Sequence, residues 1–258
     1  MIQSEEKPVP RSREETHMIG IIGAMEMEIA GLVAALEAPE TAVYCGQRFT
    51  SGTLGGAPVV VAKCGAGKVN AAMCAAAMLL RYAPSVVVST GVAGGIGDGV
   101  KIGDLVVATH AVQYDYDTTA IGEPKAFVNV AGTEMTELPV SEAHSALLAQ
   151  YAADIYSGVH RGVIATGDRF VADPAFCAAL RAEFGAIACE METGAIAHVC
   201  AANGTPFCGL RAISDNANDD GKVDFLTFAR DSAEKCIALL QASAAALDSA
   251  PQRTGKEV

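Results

Sequence analysis

Short apolar runs that end in glycine or acidic residues alternate along this chain with stretches whose apolar positions recur every three to four residues. That is the pattern of strands followed by helices. Residues 18–22 predict a first strand, Gly23-Ala24-Met25 a tight turn, and Ile29, Leu32, Val33 and Leu36 the buried face of a helix over 26–37. Residues 49–61 read as a hairpin turning at Gly55-Gly56. After Cys64-Gly65-Ala66-Gly67-Lys68 comes an Ala- and Met-rich helix over 69–81, with Met73 and Met78 expected to pack on a sheet. A strand over 85–90 closes in the glycine-dense segment 91–95, and another begins at 103–109. Residues 114–137 lack periodicity, and a loop of that length in a compact domain serves function or an interface. Helix 141–155, strand 162–166, helix 173–184 opened by Asp173-Pro174, strand 186–190, a helix entered at Thr193-Gly194, strand 205–215 and a helix over 225–247 complete the alternation.

Such alternation specifies an α/β protein, and in open sheets of this class ligands bind beyond the C-terminal ends of the strands. Four strand tips then carry candidate chemistry: Glu26 and Glu28 after the first strand, the glycines of 91–95, Glu190-Met191-Glu192, and Arg211, Ser214 and Asp215 at the end of the last. Acids in a first helical turn are stabilised by about 0.3–1 kcal/mol whether or not they meet a ligand. Glu26 and Glu28 fall on opposite edges of the apolar stripe, so periodicity does not choose between them. The glycines fit either a close approach of backbone to ligand or a crowded turn needing positive φ. Phe170, at another strand end, suits stacking on a planar ligand as well as plugging a core.

Composition narrows the chemistry. With 258 residues, 51% apolar, 19% charged and no Trp, the chain is long enough for one well-packed domain. A formal net charge of −12 argues against nucleic acid and other polyanions and favours a neutral or cationic small molecule. None of the eight cysteines forms a C-x-x-C pair, so they read as buried reduced thiols of a cytoplasmic protein, with no metal site. The five histidines are equally dispersed and read as structural or exposed. Residues 1–17 are polar, unlike a signal peptide, and no apolar run is long enough for a membrane span. The loop at 64–68 meets neither the P-loop nor the dinucleotide spacing, and no G-x-S-x-G supports acyl transfer. Separated carboxylates suit glycosidic hydrolysis, one activating water while another protonates the leaving group.

The motifs Ile-Gly-Ile-Ile-Gly-Ala-Met-Glu-Met-Glu28, Gly-Ala-Gly-Lys68, Thr-Gly-Val-Ala-Gly-Gly95, Gly-Asp-Leu-Val-Val107, Gly-Asp-Arg-Phe-Val171, Glu-Met-Glu192 and Arg-Ala-Ile-Ser-Asp215 follow one another in family order. From about Met18 to Leu247 the chain resembles the 5′-methylthioadenosine/S-adenosylhomocysteine nucleosidases of the purine nucleoside phosphorylase superfamily. The resemblance implies a single-domain, three-layer α/β/α fold with a mixed central sheet over 18–248, and the polar ends on either side of it read as a disordered leader 1–17 and a polar tail 249–258. The resemblance also implies hydrolysis of adenine thionucleosides to adenine and a thioribose without a cofactor, in a homodimer. By the same mapping Glu28 activates water and Asp215 protonates adenine N7. Glu192 holds the ribose hydroxyls, Met191 packs on the sugar, Phe170 stacks on adenine and the Val171 backbone reads its edge. Ala24, Met25, Val92, Gly94, Ser214 and Phe225 complete the substrate site, Arg211 orients Asp215, and Thr118 and Ile121 lie on the loop through which the partner subunit closes over the 5′ group. Val92 stands where many relatives carry a hydroxyl residue, which speaks against a phosphate site and for hydrolysis. Nucleosidases for aminodeoxyfutalosine or 5′-deoxyadenosine, a purine nucleoside phosphorylase and a silent nucleoside-binding protein are the alternatives.

Overall fold

The computed structural model describes residues 17–217 and 221–250; the expected leader up to residue 16 and the tail beyond 250 lie outside the described residues. In chain order the elements are β1 (Ile19–Gly23), α1 (Glu26–Ala34), β2 (Glu37–Tyr44), β3 (Gln47–Leu54), β4 (Ala57–Lys63), α2 (Lys68–Tyr82), β5 (Val86–Gly95) and β6 (Leu105–Gln113). There follow β7 (Val128–Val130), β8 (Thr133–Met135), β9 (Leu138–Pro139), α3 (Glu142–Ala152), β10 (Val159–Thr166), α4 (Pro174–Phe184), β11 (Ala186–Glu190), α5 (Thr193–Ala202), β12 (Phe207–Asp215) and α6 (Gly221–Asp248). The main sheet runs β11-β10-β6-β12-β5-β1-β4-β3-β2 and is mixed, as expected. Its centre is parallel, with β1 between β4 and β5, and every residue of β1, β5 and β12 is buried, because helices cover both faces. One apolar layer packs Ile29 and Leu32 of α1, Leu148 of α3 and Leu239 and Leu240 of α6 on the sheet. The opposite layer packs Cys74 and Met78 of α2 and Ile196 and Cys200 of α5.

The sheet also curls back on itself. The end of β5 pairs antiparallel with β11, Gly94 opposite Cys189 and Gly95 opposite Ala188, so β5, β12, β6, β10 and β11 close into a ring. This pairing brings the end of β11 beside the end of β5, and with it the acid pair Glu190 and Glu192.

Several boundaries differ from the sequence expectation, each for a local reason. Helix α1 stops at Ala34, and Glu37 belongs to β2, an exposed edge strand whose polar sequence carries no alternation to read. It extends the expected hairpin to a three-stranded meander. The glycines of 91–95 are strand rather than turn, and Gly91, Gly94 and Gly95 are absent from the positive-φ residues. Within 114–137 there is a short antiparallel pair, β7 with β8, and α6 starts at Gly221 instead of 225. Met78 is fully buried, whereas Met73 is 37% exposed. Seven of the eight cysteines are buried and Cys45 is exposed. Turn chemistry came through intact: Gly55 and Gly56 both have positive φ in the β3–β4 hairpin, and the Asp173 side chain accepts from the N–H groups of Ala175 and Phe176 ahead of α4.

Candidate active site

A cavity of about 200 Å³ opens over the C-terminal ends of β1, β5, β11 and β12. Its wall contains Ala24, Met25, Glu28, Val92, Gly94, Phe170, Val171, Met191, Glu192, Ser214, Asp215 and Phe225. These residues come from six separate segments of the chain, and the strand topology brings them together. Glu190, a candidate from its strand tip, lines the same cavity, as do Ala66, Ala93, Arg169 and Cys189, which went unassigned in the sequence. Thr118 and Ile121 are not on its wall; Ile121 is 76% exposed on the segment after β6.

The first turn of α1 separates Glu26 from Glu28. Glu26 is exposed and paired with Lys63 at 2.9 Å, whereas Glu28 is buried. The Glu28 carboxylate reaches back over the helix start, Oε2 accepting the N–H groups of Ala24 (2.7 Å) and Met25 (2.8 Å), while Oε1 accepts that of Val92 (3.1 Å). The capping position and the strand edge of β5 thus fix one carboxylate in one orientation. Burial pushes its carboxyl above the usual range, against the pull of those three N–H groups and of the Arg211 charge. Gly91 makes this approach possible, since a Cβ there would stand 2.6 Å from Glu28 Oε1 and 3.0 Å from Cδ. Gly91→Ala is therefore expected to displace the carboxylate, lowering kcat by about 10- to 100-fold, the scale for misplacing a reacting group by about 1 Å, at a stability cost of about 1–3 kcal/mol. Steady-state kinetics beside a thermal melt checks both, and unchanged kcat would show that the Gly91–Glu28 contact is not limiting.

Asp215 closes the opposite side. Oδ2 accepts from the Ser214 hydroxyl at 3.0 Å and Oδ1 from the Ala217 N–H at 2.8 Å. The register of β12 against β5 shifts between Ile213 and Asp215, setting Asp215 beside Gly94. A Cβ on Gly94 would lie 2.9 Å from Asp215 Oδ1 and 2.8 Å from the Ala217 Cβ. Glycine at 91 and at 94 serves two close approaches within one strand, one for each acid. The turn reading is thus excluded, and at these two positions the missing side chains make room for carboxylates of the protein.

Arg211 departs from its expected role. Its side chain is absent from the cavity wall, and it donates to Glu190 Oε2 through Nε (3.1 Å) and Nη2 (2.6 Å), to the Ser89 hydroxyl and to the Leu210 carbonyl, rather than orienting Asp215. The reason is charge: a guanidinium buried to 2% exposure needs a carboxylate, and Glu190 faces it across the ring of strands. Glu190 is otherwise saturated by the Thr166 hydroxyl and by the N–H groups of Glu192 and Thr193 at the entrance to α5. Burial opposes its charge, but Arg211, Thr166 and these N–H groups outweigh it and hold the carboxyl below its usual value.

Glu192 is left with the opposite balance. Burial, reinforced by the Glu190 charge, raises its carboxyl to about 7 despite Arg211 and the Gly67 N–H, which donates to Oε1 at 2.8 Å. The glycine loop before α2 thus donates a backbone N–H to a carboxylate of the cavity. A carboxyl at about 7 in the fold and near 4.5 in the unfolded chain binds more protons when folded, so its contribution to stability is fully present at low pH and is lost as pH rises through 7. The difference corresponds to at most roughly 3 kcal/mol. Glu192→Gln, which keeps an oxygen for Gly67, is expected to raise the melting temperature at pH 8 more than at pH 5. Melts at the two pH values decide it, and equal shifts would contradict the buried-charge account.

Phe170 is 48% exposed at the cavity mouth and meets Phe225 edge-on, with ring centroids 5.8 Å apart. Its outward face is available to a flat ring. Among the described residues on the wall Arg169 is the one cation, half exposed, with its guanidinium over the Phe176 ring.

The profile of the phosphorylase superfamily matches residues 18–245. The chain is similar to a 5′-methylthioadenosine/S-adenosylhomocysteine nucleosidase of Shewanella halifaxensis, 39% identical over 218 residues that cover 80% of this chain and 90% of that protein. It is also similar to the crystal structure of the nucleosidase of that name from Neisseria meningitidis in complex with methylthio-immucillin-A, at TM-score 0.83 and 32% identity, covering 87% of this chain and 97% of that one. The native structure of a futalosine hydrolase from Helicobacter pylori superposes with TM-score 0.82 at 33% identity, covering 88% of this chain and 97% of that one.

Proposed function

The chain belongs to the phosphorylase superfamily, where its relatives are 5′-methylthioadenosine/S-adenosylhomocysteine nucleosidases, and from that premise we propose how its residues divide the work of hydrolysis. It is an N-glycosidic hydrolase that releases adenine from 5′-methylthioadenosine and S-adenosylhomocysteine. One observation carries the assignment of roles: two carboxylates from opposite ends of the polypeptide, Glu28 and Asp215, line one cavity, each placed by its own glycine of β5.

Glu28, immobilised by three N–H groups, takes a proton from water as it attacks the anomeric carbon. Asp215, steadied by Ser214 and Ala217, delivers a proton to N7 so that adenine leaves neutral. Glu192 accepts the ribose hydroxyls, and Met191 packs on the sugar. Phe170 stacks on adenine, and the Val171 backbone reads its edge. Ala24, Met25, Val92 and Phe225 provide an apolar surround for the rest of the nucleoside. Hydrolysis is favoured over phosphorolysis because Arg211 is already neutralised by Glu190, and the wall offers Val92 where a phosphate would need a hydrogen-bond donor side chain. The working form is a cytoplasmic homodimer, with exposed Ile121 and the exposed apolar face of α2 at Val69 and Met73 turned to the partner.

Incubation with methylthioadenosine, with and without phosphate, tests the reaction. Adenine and free thioribose in both arms are expected, and a sugar 1-phosphate would reassign the chemistry. Because a futalosine hydrolase is among the structural neighbours, kcat/KM for aminodeoxyfutalosine measured alongside decides the preferred 5′ group.

A further inference from the structure

The start of α2 has no cap of its own. Gly67 stands at the capping position with φ 95°, the first turn contains no acid, and Lys68 opens the helix with a positive charge where the peptide dipoles already place one. Two carboxylates from far along the chain supply what is missing. Glu192, on the cavity wall, accepts the Gly67 N–H at 2.8 Å, and the exposed Asp168 accepts the next one, that of Lys68, through Oδ1 at 2.7 Å. Asp168 is gripped in return. Its own N–H donates to Asp115 Oδ2 at 2.9 Å, while Asp115 Oδ1 takes the Lys68 ammonium at 2.5 Å in a pair that is mostly shielded from water. Gly67 leaves room for this contact, since a Cβ there would stand 3.0 Å from Asp168 Oδ1.

The two segments so joined both border the cavity. Asp168 lies two residues before Phe170, on the irregular loop between β10 and α4, and Ala66 of the glycine loop is on the wall. The glycine loop is itself a fixed platform: the Gly65 N–H donates to the Ala24 carbonyl at 3.1 Å, and Gln47 Nε2 donates to the Cys64 carbonyl at 2.9 Å. We propose that Asp168 is a positioning residue, which with Asp115 and Lys68 clasps the aromatic loop to this platform and so holds Phe170 for the base and the Gly67 N–H for Glu192 at the same time. The kinetic half of this rests on the roles given above to Phe170 and Glu192. Asp168 touches no substrate in this arrangement. It acts because adjacent N–H groups of one helix start serve one carboxylate inside the cavity and one outside it, so releasing the outer one slackens both loops.

The test makes Asp168→Ala, Asp168→Asn and Asp115→Ala in the full chain and reads amide hydrogen exchange, a thermal melt and steady-state kinetics with methylthioadenosine. In Asp168→Ala, peptides spanning 65–69 and 167–171 should exchange faster, with KM raised about 3- to 10-fold and kcat within about twofold, the scale of losing one partly exposed hydrogen bond to a charged acceptor. Asp168→Asn keeps an oxygen for the Lys68 N–H and should restore most of the parent KM. Asp115→Ala frees the Asp168 N–H from the other side and should raise KM without adding fully to Asp168→Ala in the double variant. Unchanged exchange in Asp168→Ala would overturn the clasp. Faster exchange with an unchanged KM, or an Asn variant as impaired as the Ala one, would overturn the positioning role. Once Phe170→Ala has removed the ring, Asp168→Ala should raise KM less than it does in the parent, and full additivity would overturn the coupling to the aromatic loop. Phe170→Ala alone leaving KM unchanged would remove the stacking role, whereas exchange decides the clasp without reference to any substrate.

Discussion

Asp215→Asn is expected to lower kcat for methylthioadenosine by about 10²- to 10⁴-fold, the range for removing a general acid. An adenine anion is a poor leaving group, so most of the barrier lies in giving the base a proton as the bond to the sugar stretches. Asparagine keeps an oxygen for the Ala217 N–H and fills the same space beside Gly94, so the fold should survive. Adenine binding and the thermal melt should stay close to the parent. The diagnostic is a riboside whose leaving group needs no proton, such as a 4-nitrophenyl riboside. The variant should cleave it nearly as fast as the parent does, while adenine nucleosides are cleaved slowly. A matching loss on both substrates would mean that Asp215 acts by position or charge, and near-normal turnover of methylthioadenosine would remove it from the reaction.

Glu28→Gln should cost a similar 10²- to 10⁴-fold in kcat, for a different reason. Both carboxylate oxygens accept backbone N–H groups, from Ala24, Met25 and Val92. An amide must turn its NH₂ towards at least one of these donors, so the variant loses the base and gains a repulsive contact, worth about 1–3 kcal/mol of stability. The pH profile separates the two effects. In the proposed role Glu28 acts as the anion, and burial raises its carboxyl from the usual 4.5. In the parent, kcat/KM should therefore fall as pH drops through that raised value and level off above it. In Glu28→Gln the residual activity should lack this acid limb. Persistence of the limb in the variant would assign it elsewhere, with Glu192 the next group to examine because its carboxyl stands at about 7.

Legibility in the sequence differed from residue to residue. The strand of 18–22, the Gly55-Gly56 turn and the Asp173-Pro174 helix start were readable because each is decided within a few residues by periodicity, positive φ or a capping side chain. The edge strand β2 was not, because it is largely exposed and its side chains need not alternate. Membership of the site was carried by strand-end motifs and by the family resemblance they support. The standing of each charge within the site was not. Glu26 and Glu28 were equivalent by spacing until the fold put one against Lys63 and the other against β5. The family resemblance made Arg211 the partner of Asp215, yet it pairs with Glu190.

Local sequence thus specified where strands and helices form, which tips carry acids and which turns need glycine, because those preferences are settled by short-range sterics and hydrogen bonds. The closure of β5 on β11, the neutralisation of Arg211 by Glu190 and the raised carboxyls of Glu28 and Glu192 arose only on folding. Burial and charge pairing depend on neighbours distant along the chain, and a carboxylate acquires its ionisation and its reach only when those neighbours have displaced water from around it.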